Sequence, residues 1–439
     1  MQHEERTLVA GVALTRPGRS NPANPKLAAD PEESLEELAA LAESAGAVVV
    51  DRMLQTRPAI DAATLVGRGK VAEIEERVHA DSVETVIFDH ELTPTQLRNL
   101  ERRLQVKVLD RTQLILDIFA RRARTSEGQL QVELAQLNYL LPRLAGRGTQ
   151  MSRLGGGIGT RGPGETQLET DRRRIGKRIA KLKTDIERVR ATRGVQRSQR
   201  QAVPLSTISL VGYTNAGKST LFNRLTGAGV LADAKMFATL DPTVRQIRLP
   251  SQRRVLLSDT VGFIRNLPTT LVDAFRATLE EVSAAALLLH VVDVTSPSAP
   301  EQTAHVLKVL GEIGAESTPQ ILVLNKSDRL SAPGVEQDLP TITHRILGET
   351  ARQNSTGAAL ISAQTGQGLG QLLELIDQRL AQDPVARQRF RLPLGEGRAL
   401  HLLHDRAAIV SKHYEHDYCE VVADAPQSIR ERLAEFAVE

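Results

Sequence analysis

The chain has no tryptophan, one cysteine and only 3% aromatic residues among 439. Aromatic platforms that stack bases are therefore not its main means of holding RNA or DNA. Cys419 cannot close an internal disulfide by itself, which fits a reducing compartment. Long apolar runs are also missing. The longest, 284–292, contains His290 and is far too short to span a bilayer, so no integral membrane contact is expected. The opening MQHEERTLVAGVAL lacks a basic stretch leading into a long apolar core, so no secretion signal is expected. Nor does one charge dominate, since 56 Lys and Arg face 53 Asp and Glu.

The charge is instead concentrated locally. Residues 171–200 hold twelve Lys or Arg, from Arg172 to Arg200, against Asp171, Asp185 and Glu187. A localised basic segment implies a localised acidic partner. The length predicts two to four domains at about 100–200 residues each.

Residues 1–126 read as a small α/β domain. Apolar runs at 7–14, 47–54, 85–89 and 106–109 predict strands, and 31–45, 69–80 and 93–104 carry helical spacing. Residues 127–203 read as an antiparallel helical hairpin. Leu130, Leu134, Leu137, Leu141 and Leu144 form one apolar seam, which Pro142 is expected to end. Leu168, Ile175, Ile179, Leu182, Ile186 and Val189 form the second. The joining loop alternates Gly146, Gly148, Gly155, Gly156, Gly157, Gly159, Gly162 and Gly164 with Arg143, Arg147, Arg153 and Arg161. Such a loop cannot build a core, and its charge suits an RNA backbone better than a nucleotide pocket.

Residues 204–382 carry the chemistry. After a strand at 206–211 come Gly212, Tyr213, Thr214, Asn215, Ala216, Gly217, Lys218, Ser219 and Thr220, a GxxxxGKS loop that opens a helix. Its glycines let backbone N–H groups point at phosphate, Lys218 is expected to reach the β and γ oxygens, and Ser219 to ligate Mg²⁺. Asp259, Thr260, Val261 and Gly262 end a later strand; Asp259 is placed to hold magnesium through water, and the Gly262 N–H to sense the γ-phosphate. Between them, Phe237, Ala238, Thr239, Leu240 and Asp241 lead to Pro242 and Thr243. Thr239 is the expected second hydroxyl ligand to magnesium and Thr243 its rival. Asn325, Lys326, Ser327 and Asp328 end another strand, where a carboxylate can accept from both N1–H and the exocyclic amine of guanine, a pairing adenine does not offer. Ser362, Ala363 and Gln364 supply a loop for the guanine oxygen. The strands at 206–211, 254–258, 286–293, 320–325 and 359–362 alternate with helices, which predicts a doubly wound sheet with GTP or GDP at its strand C-terminal edge. Residues 385–439 read as a small α+β domain with strands around HYEHDYCEV and a final helix from Pro426 to Phe436.

The order GYTNAGKS, FATLDPT, DTVGFI, NKSD and ISA, preceded by GGGIGTRGPGETQLETDRR, resembles the HflX family of ribosome-associated P-loop GTPases. LVGRGKVAEI and FDHELTPTQLRNLE extend the resemblance through the first domain. It implies a GTP hydrolase that binds the large ribosomal subunit and its rRNA, with the hairpin loop directed at the peptidyl-transferase region. It also implies splitting or rescue of idle or stalled ribosomes under stress. A monomer in the cytoplasm is the expectation, with peripheral membrane association left open and no DNA partner. Phe263 stands where many GTPases place a water-orienting glutamine, so intrinsic hydrolysis is expected to be slow. Asn215 matches a phosphate-loop asparagine that helps seat K⁺ in related GTPases.

Two other signals are weaker. Gly67 to Lys70 lacks the spacing and hydroxyl of a phosphate loop and reads as a turn. His401, His404, His413, His416 and Cys419 lack a tight metal-ligand spacing. A ribosome-assembly or RNA-modification GTPase, and a passive RNA-binding protein with structural GTP, are the competing readings.

Overall fold

Strands that are apolar on both faces need cover on both faces, and the first sheet shows why. In β1 (Glu5–Leu14) six consecutive residues, 7–12, are buried. The computed structural model describes residues 4–15, 30–144, 163–201, 205–227, 236–237, 239–240, 242–265, 281–330, 339–347, 355–380, 385–415 and 417–438. With β2 (Ala47–Arg57), β3 (Thr85–Phe88) and β4 (Lys107–Asp110), β1 forms a parallel sheet in the order β2-β1-β3-β4. Three expected helices connect these strands: α1 (Pro31–Ser44), α2 (Arg68–Ala80) and α3 (Pro94–Leu104). Local chemistry starts them. The Asp30 carboxylate accepts from the Glu32 N–H, and Thr93 with Gln96 closes a capping box.

A fourth helix, α4 (Arg111–Arg122), was not expected. Asp110 caps it, accepting from the Gln113 N–H at 2.9 Å. Leu114, Ile115, Leu116, Ile118 and Phe119 are all buried, so nearly every side of the helix is covered.

The hairpin pairs α5 (Ser126–Leu144) with α6 (Pro163–Gln201). Pro142 does not end α5, which continues to Leu144. The buried apolar α5 residues, Val132, Ala135 and Tyr139, join the core of the first domain, while Leu134 and Leu137 are half-buried. On α6, Leu182 and Ile186 are buried and Arg172, Arg173, Arg174, Lys177 and Lys181 are exposed. Arg178 clasps both carboxylate oxygens of Glu133 across the pair, at 2.6 and 2.7 Å. The glycine loop from Gly146 to Gly162 lies outside the described residues.

The central sheet has the order β10-β9-β8-β5-β7-β6. Its strands are β5 (Thr207–Gly212), β6 (Thr243–Arg248), β7 (Arg254–Asp259), β8 (Leu287–Asp293), β9 (Gln320–Asn325) and β10 (Ser355–Leu360). Two details correct the sequence reading. β6 is an unforeseen antiparallel edge strand, and β10 ends before Ser362 rather than containing it. Helices α7 (Lys218–Thr226), α8 (Ala299–Glu312), α9 (Leu339–Leu347) and α10 (Leu369–Arg379) flank this sheet. The small last domain is an antiparallel sheet in the order β12-β13-β11-β14, from β11 (Val385–Pro393), β12 (Ala408–Tyr414), β13 (Tyr418–Pro426) and β14 (Ala437–Val438). Its α11 spans Gly397–Arg406, and the expected final helix is shorter, α12 (Gln427–Arg432) followed by a 3₁₀ turn at Ala434–Phe436.

One apolar core runs from α1, α4 and α5 into the central domain through Tyr213, Phe237, Leu240, Val261 and Phe263. The rings of Phe119 and Phe237 meet edge to face at 4.6 Å. Among the described residues no helix is long and apolar enough to cross a membrane.

Candidate functional site

The site is built at the C-terminal ends of β5, β7 and β9, where a parallel sheet turns its chain into loops. β5 ends at Gly212 with φ +148°, and a Cβ there would collide with the Val291 carbonyl oxygen. Gly217, with φ +95°, sits at the start of α7, where a Cβ would strike the Asn325 amide. Only glycine lets the loop curl at these two points. The N-cap residue of α7 is Gly217, which has no side chain to bond the first-turn N–H groups, the setting in which helix starts bind anions.

Lys218 is buried and donates to the carbonyl oxygens of Gly212 at 3.0 Å and Tyr213 at 2.7 Å. Burial lowers its pKa to about 8, opposed by the nearby Asp259 carboxylate. Ser219 Oγ lies 2.8 Å from Thr239 Oγ1 and donates to Asp259 Oδ2 at 2.8 Å. Thr239 Oγ1 donates to the same oxygen at 2.7 Å. Burial raises the Asp259 pKa, with bonds from Thr239 and the charge of Lys218 opposing it. Its second oxygen, Oδ1, is buried without a hydrogen-bond partner among the described residues. Two hydroxyls and a carboxylate thus converge beside an ammonium group. Thr243, the alternative to Thr239, is instead paired with Asp259 in the β6–β7 ladder.

Asn325 braces this loop rather than facing a base. Its amide nitrogen donates to the Ala216 carbonyl oxygen at 2.8 Å, and its oxygen accepts from the Ala363 N–H at 2.9 Å. Lys326 takes a left-handed backbone, φ +67°, and pairs with Asp293 at 2.6 Å. Asp328 follows on an exposed 3₁₀ turn.

A cavity of about 590 Å³ unites these parts. It is lined at one end by Thr214, Asn215, Gly217, Lys218, Ser219, Thr220, Thr239, Thr260 and Gly262, and at the other by Asn325, Lys326, Asp328, Ala363 and Gln364. Phe237 is a further lining residue. Arg329 also lines it, and nothing in the sequence beyond its place after NKSD marked it. The remaining candidates stand behind the wall. Leu240 and Val261 belong to the interdomain core, Ser362 Oγ accepts from the Thr365 N–H at 3.1 Å, and the Ser327 hydroxyl is buried without a partner among the described residues. Ala238 and Asp241 lie outside the described residues.

Tyr213 points away from the cavity. Its buried hydroxyl donates to Glu37 of α1 at 2.7 Å and accepts from the Arg265 N–H at 2.9 Å. Phe263 is held by backbone bonds from its N–H to the Gly212 carbonyl oxygen and from the Thr214 N–H to its own. Its ring is 2% exposed and lies in the interdomain core, so it orients no water.

Comparison with known proteins matches most of this arrangement to described families. Residues 32–120 match a family model described as GTP-binding GTPase N-terminal, and residues 122–200 one described as GTP-binding GTPase Middle Region. Residues 207–326 match one described as 50S ribosome-binding GTPase. A GTPase HflX of Caldanaerobacter subterraneus subsp. tengcongensis is 47% identical over 407 residues, covering 93% of this chain and 91% of that protein. The GTPase HflX of Escherichia coli (strain K12) is 46% identical over 387 residues, covering 88% of each. A solved structure of a GTP-binding protein from Sulfolobus solfataricus in complex with GDP is 26% identical, covers 85% of this chain and 98% of that one, and has a TM-score of 0.46.

Proposed function

This chain belongs to the HflX family of GTPases, and we propose that it couples GTP binding and hydrolysis on the large ribosomal subunit to the splitting or rescue of idle or stalled ribosomes. The observation that carries the nucleotide part is that Lys218 and Asp328 line one cavity, the first suited to a triphosphate and the second to guanine. Asp328 accepts from guanine N1–H and its amine; with adenine the carboxylate would lose both donors, so ATP is rejected.

Mg²⁺ fits the residues present. Asp259 Oδ1, without a hydrogen-bond partner among the described residues, and the paired Ser219 and Thr239 hydroxyls offer oxygen ligands and a negative charge where a small hard cation needs them. Ser219 and Thr239 would hold the ion directly and Asp259 through water, and the ion would offset phosphate charge as it shifts during hydrolysis. Lys218 and the Gly262 N–H hold the γ-phosphate, and its loss releases Thr239 and Gly262, which is the switch. With Phe263 buried, this chain provides no glutamine to orient water at that position, and the ribosome completes the site.

The exposed cationic face of α6 supports the ribosomal part, since a basic helix leading from a glycine-rich loop suits rRNA phosphates. Sucrose-gradient sedimentation tests the reading. Co-migration with large subunits is expected with a non-hydrolysable GTP analogue and not with GDP, and 70S particles should separate into subunits. Co-migration with immature particles or tRNA instead would favour an assembly or modification GTPase.

A further inference from the structure

One helix of the first domain, α1, is linked to the three loops that carry Lys218, Thr239 and Gly262. On α1, Glu37 accepts from the hydroxyl of Tyr213, which belongs to the phosphate loop. That hydroxyl in turn accepts from the N–H of Arg265, three residues beyond Gly262. Ser44, near the end of α1, accepts from the N–H of Met236 at 2.9 Å, directly before Phe237 and the Thr239 segment.

Glu37 is itself locked. The Arg111 guanidinium pairs with it and bonds Asp89 at 2.7 Å, and Asp89 accepts from Ser34 Oγ at 2.6 Å. Arg111 is 2% exposed and Glu37 10%. A buried ionic cluster is costly to assemble where an apolar contact would hold two domains together. Its geometry points to a different use, because its last member is aimed at the hydroxyl that ties the phosphate loop to the chain after Gly262. The loop arrangement so held has Thr239 closed against Ser219 and Asp259.

We propose that Glu37 is a positioning residue for GTP hydrolysis, acting through the Tyr213 hydroxyl to hold the phosphate loop and the post-Gly262 segment in the closed arrangement that fits GTP. The inference rests on the magnesium-binding reading of Ser219 and Thr239 given above. A contact made only in the closed arrangement raises affinity for the ligand that needs that arrangement, and leaves the other unchanged.

The test uses the full chain with Tyr213→Phe, which keeps the ring and removes the hydroxyl, and Glu37→Gln, which keeps an acceptor and removes the charge. Affinities for fluorescent GDP and for a non-hydrolysable GTP analogue are measured with and without Mg²⁺, alongside kcat and KM. Tyr213→Phe should weaken the analogue about tenfold, as expected for one hydrogen bond to a charged group, and leave GDP unchanged. Its kcat should fall as well. Glu37→Gln should lose less in the same direction, and it decides the question if Tyr213→Phe does not fold. Equal losses for GDP and analogue would reduce the cluster to a structural support, and a rise in kcat would make it a brake; either overturns the proposal. A wild-type chain whose analogue affinity ignores Mg²⁺ would remove the magnesium reading and this inference with it. A wild type that responds to Mg²⁺ while both variants match it would remove this inference alone.

Discussion

The Asn325 side chain donates to the carbonyl oxygen of Ala216 across 109 positions of sequence, at 2.8 Å. With its oxygen accepting from the Ala363 N–H, one amide joins the phosphate loop, the NKSD strand end and the loop after β10. The two ends of the cavity are therefore mechanically one piece.

Asn325→Ala removes both buried bonds and leaves the Ala363 N–H without its acceptor. GTP and GDP affinity should fall together by about tenfold to a hundredfold, the cost of two buried hydrogen bonds. Isothermal titration measures it, and an unchanged GDP affinity would show that the brace is dispensable.

Asp328→Asn places an amide N–H group against the two donors of guanine. GTP affinity should drop by roughly a hundredfold or more, since a polar site loses its pairing outright. Xanthosine triphosphate, which presents an oxygen where guanine has its amine, should gain. Competition binding with the two nucleotides decides it; undiminished GTP binding would put the base elsewhere.

Asn215 has a left-handed backbone, φ +60°, and stands exposed on the cavity rim. If it seats K⁺ beside the phosphates, hydrolysis should run severalfold faster in KCl than in NaCl, and Asn215→Ala should erase the difference. Equal initial rates in the two salts for the unaltered chain end that idea.

His290 is buried in β8, and burial, aided by the Lys218 charge, lowers its pKa from 6.5 to about 4. The unfolded chain therefore takes up a proton below pH 6.5 that the folded chain refuses until about pH 4. Stability from this residue is complete above pH 6.5 and is lost as pH falls through that window, on the order of 3 kcal/mol in all. Thermal midpoints of nucleotide-free protein between pH 4.5 and 7.5 should fall on the acid side, and His290→Asn should flatten the slope. Parallel curves for the two proteins would assign the acid sensitivity to other groups.

The nucleotide loops were legible because each is a contiguous stretch whose spacing is already a geometry. Gly217, Lys218 and Ser219 must lie together, and a parallel sheet brings every strand end to one edge. The chain's alternation of strands and helices was legible for the same local reason. Thr239 over Thr243 was readable only through Pro242, and the structure separates them by register, with Thr243 in the β6 ladder. Asn325 was read as a partner of the base-reading element, since its two acceptor and donor contacts lie far away in sequence.

What the amino-acid order determines here is therefore short in range: turn chemistry, caps and the contiguous loops that line the cavity. The fold alone decided that Tyr213 faces Glu37, 176 residues distant, that Phe237 meets Phe119, and that α4 is buried on nearly all sides. Those relations depend on how two domains close over a shared core. No period or motif within either domain encodes the surface of the other, so only packing selects which side chains meet.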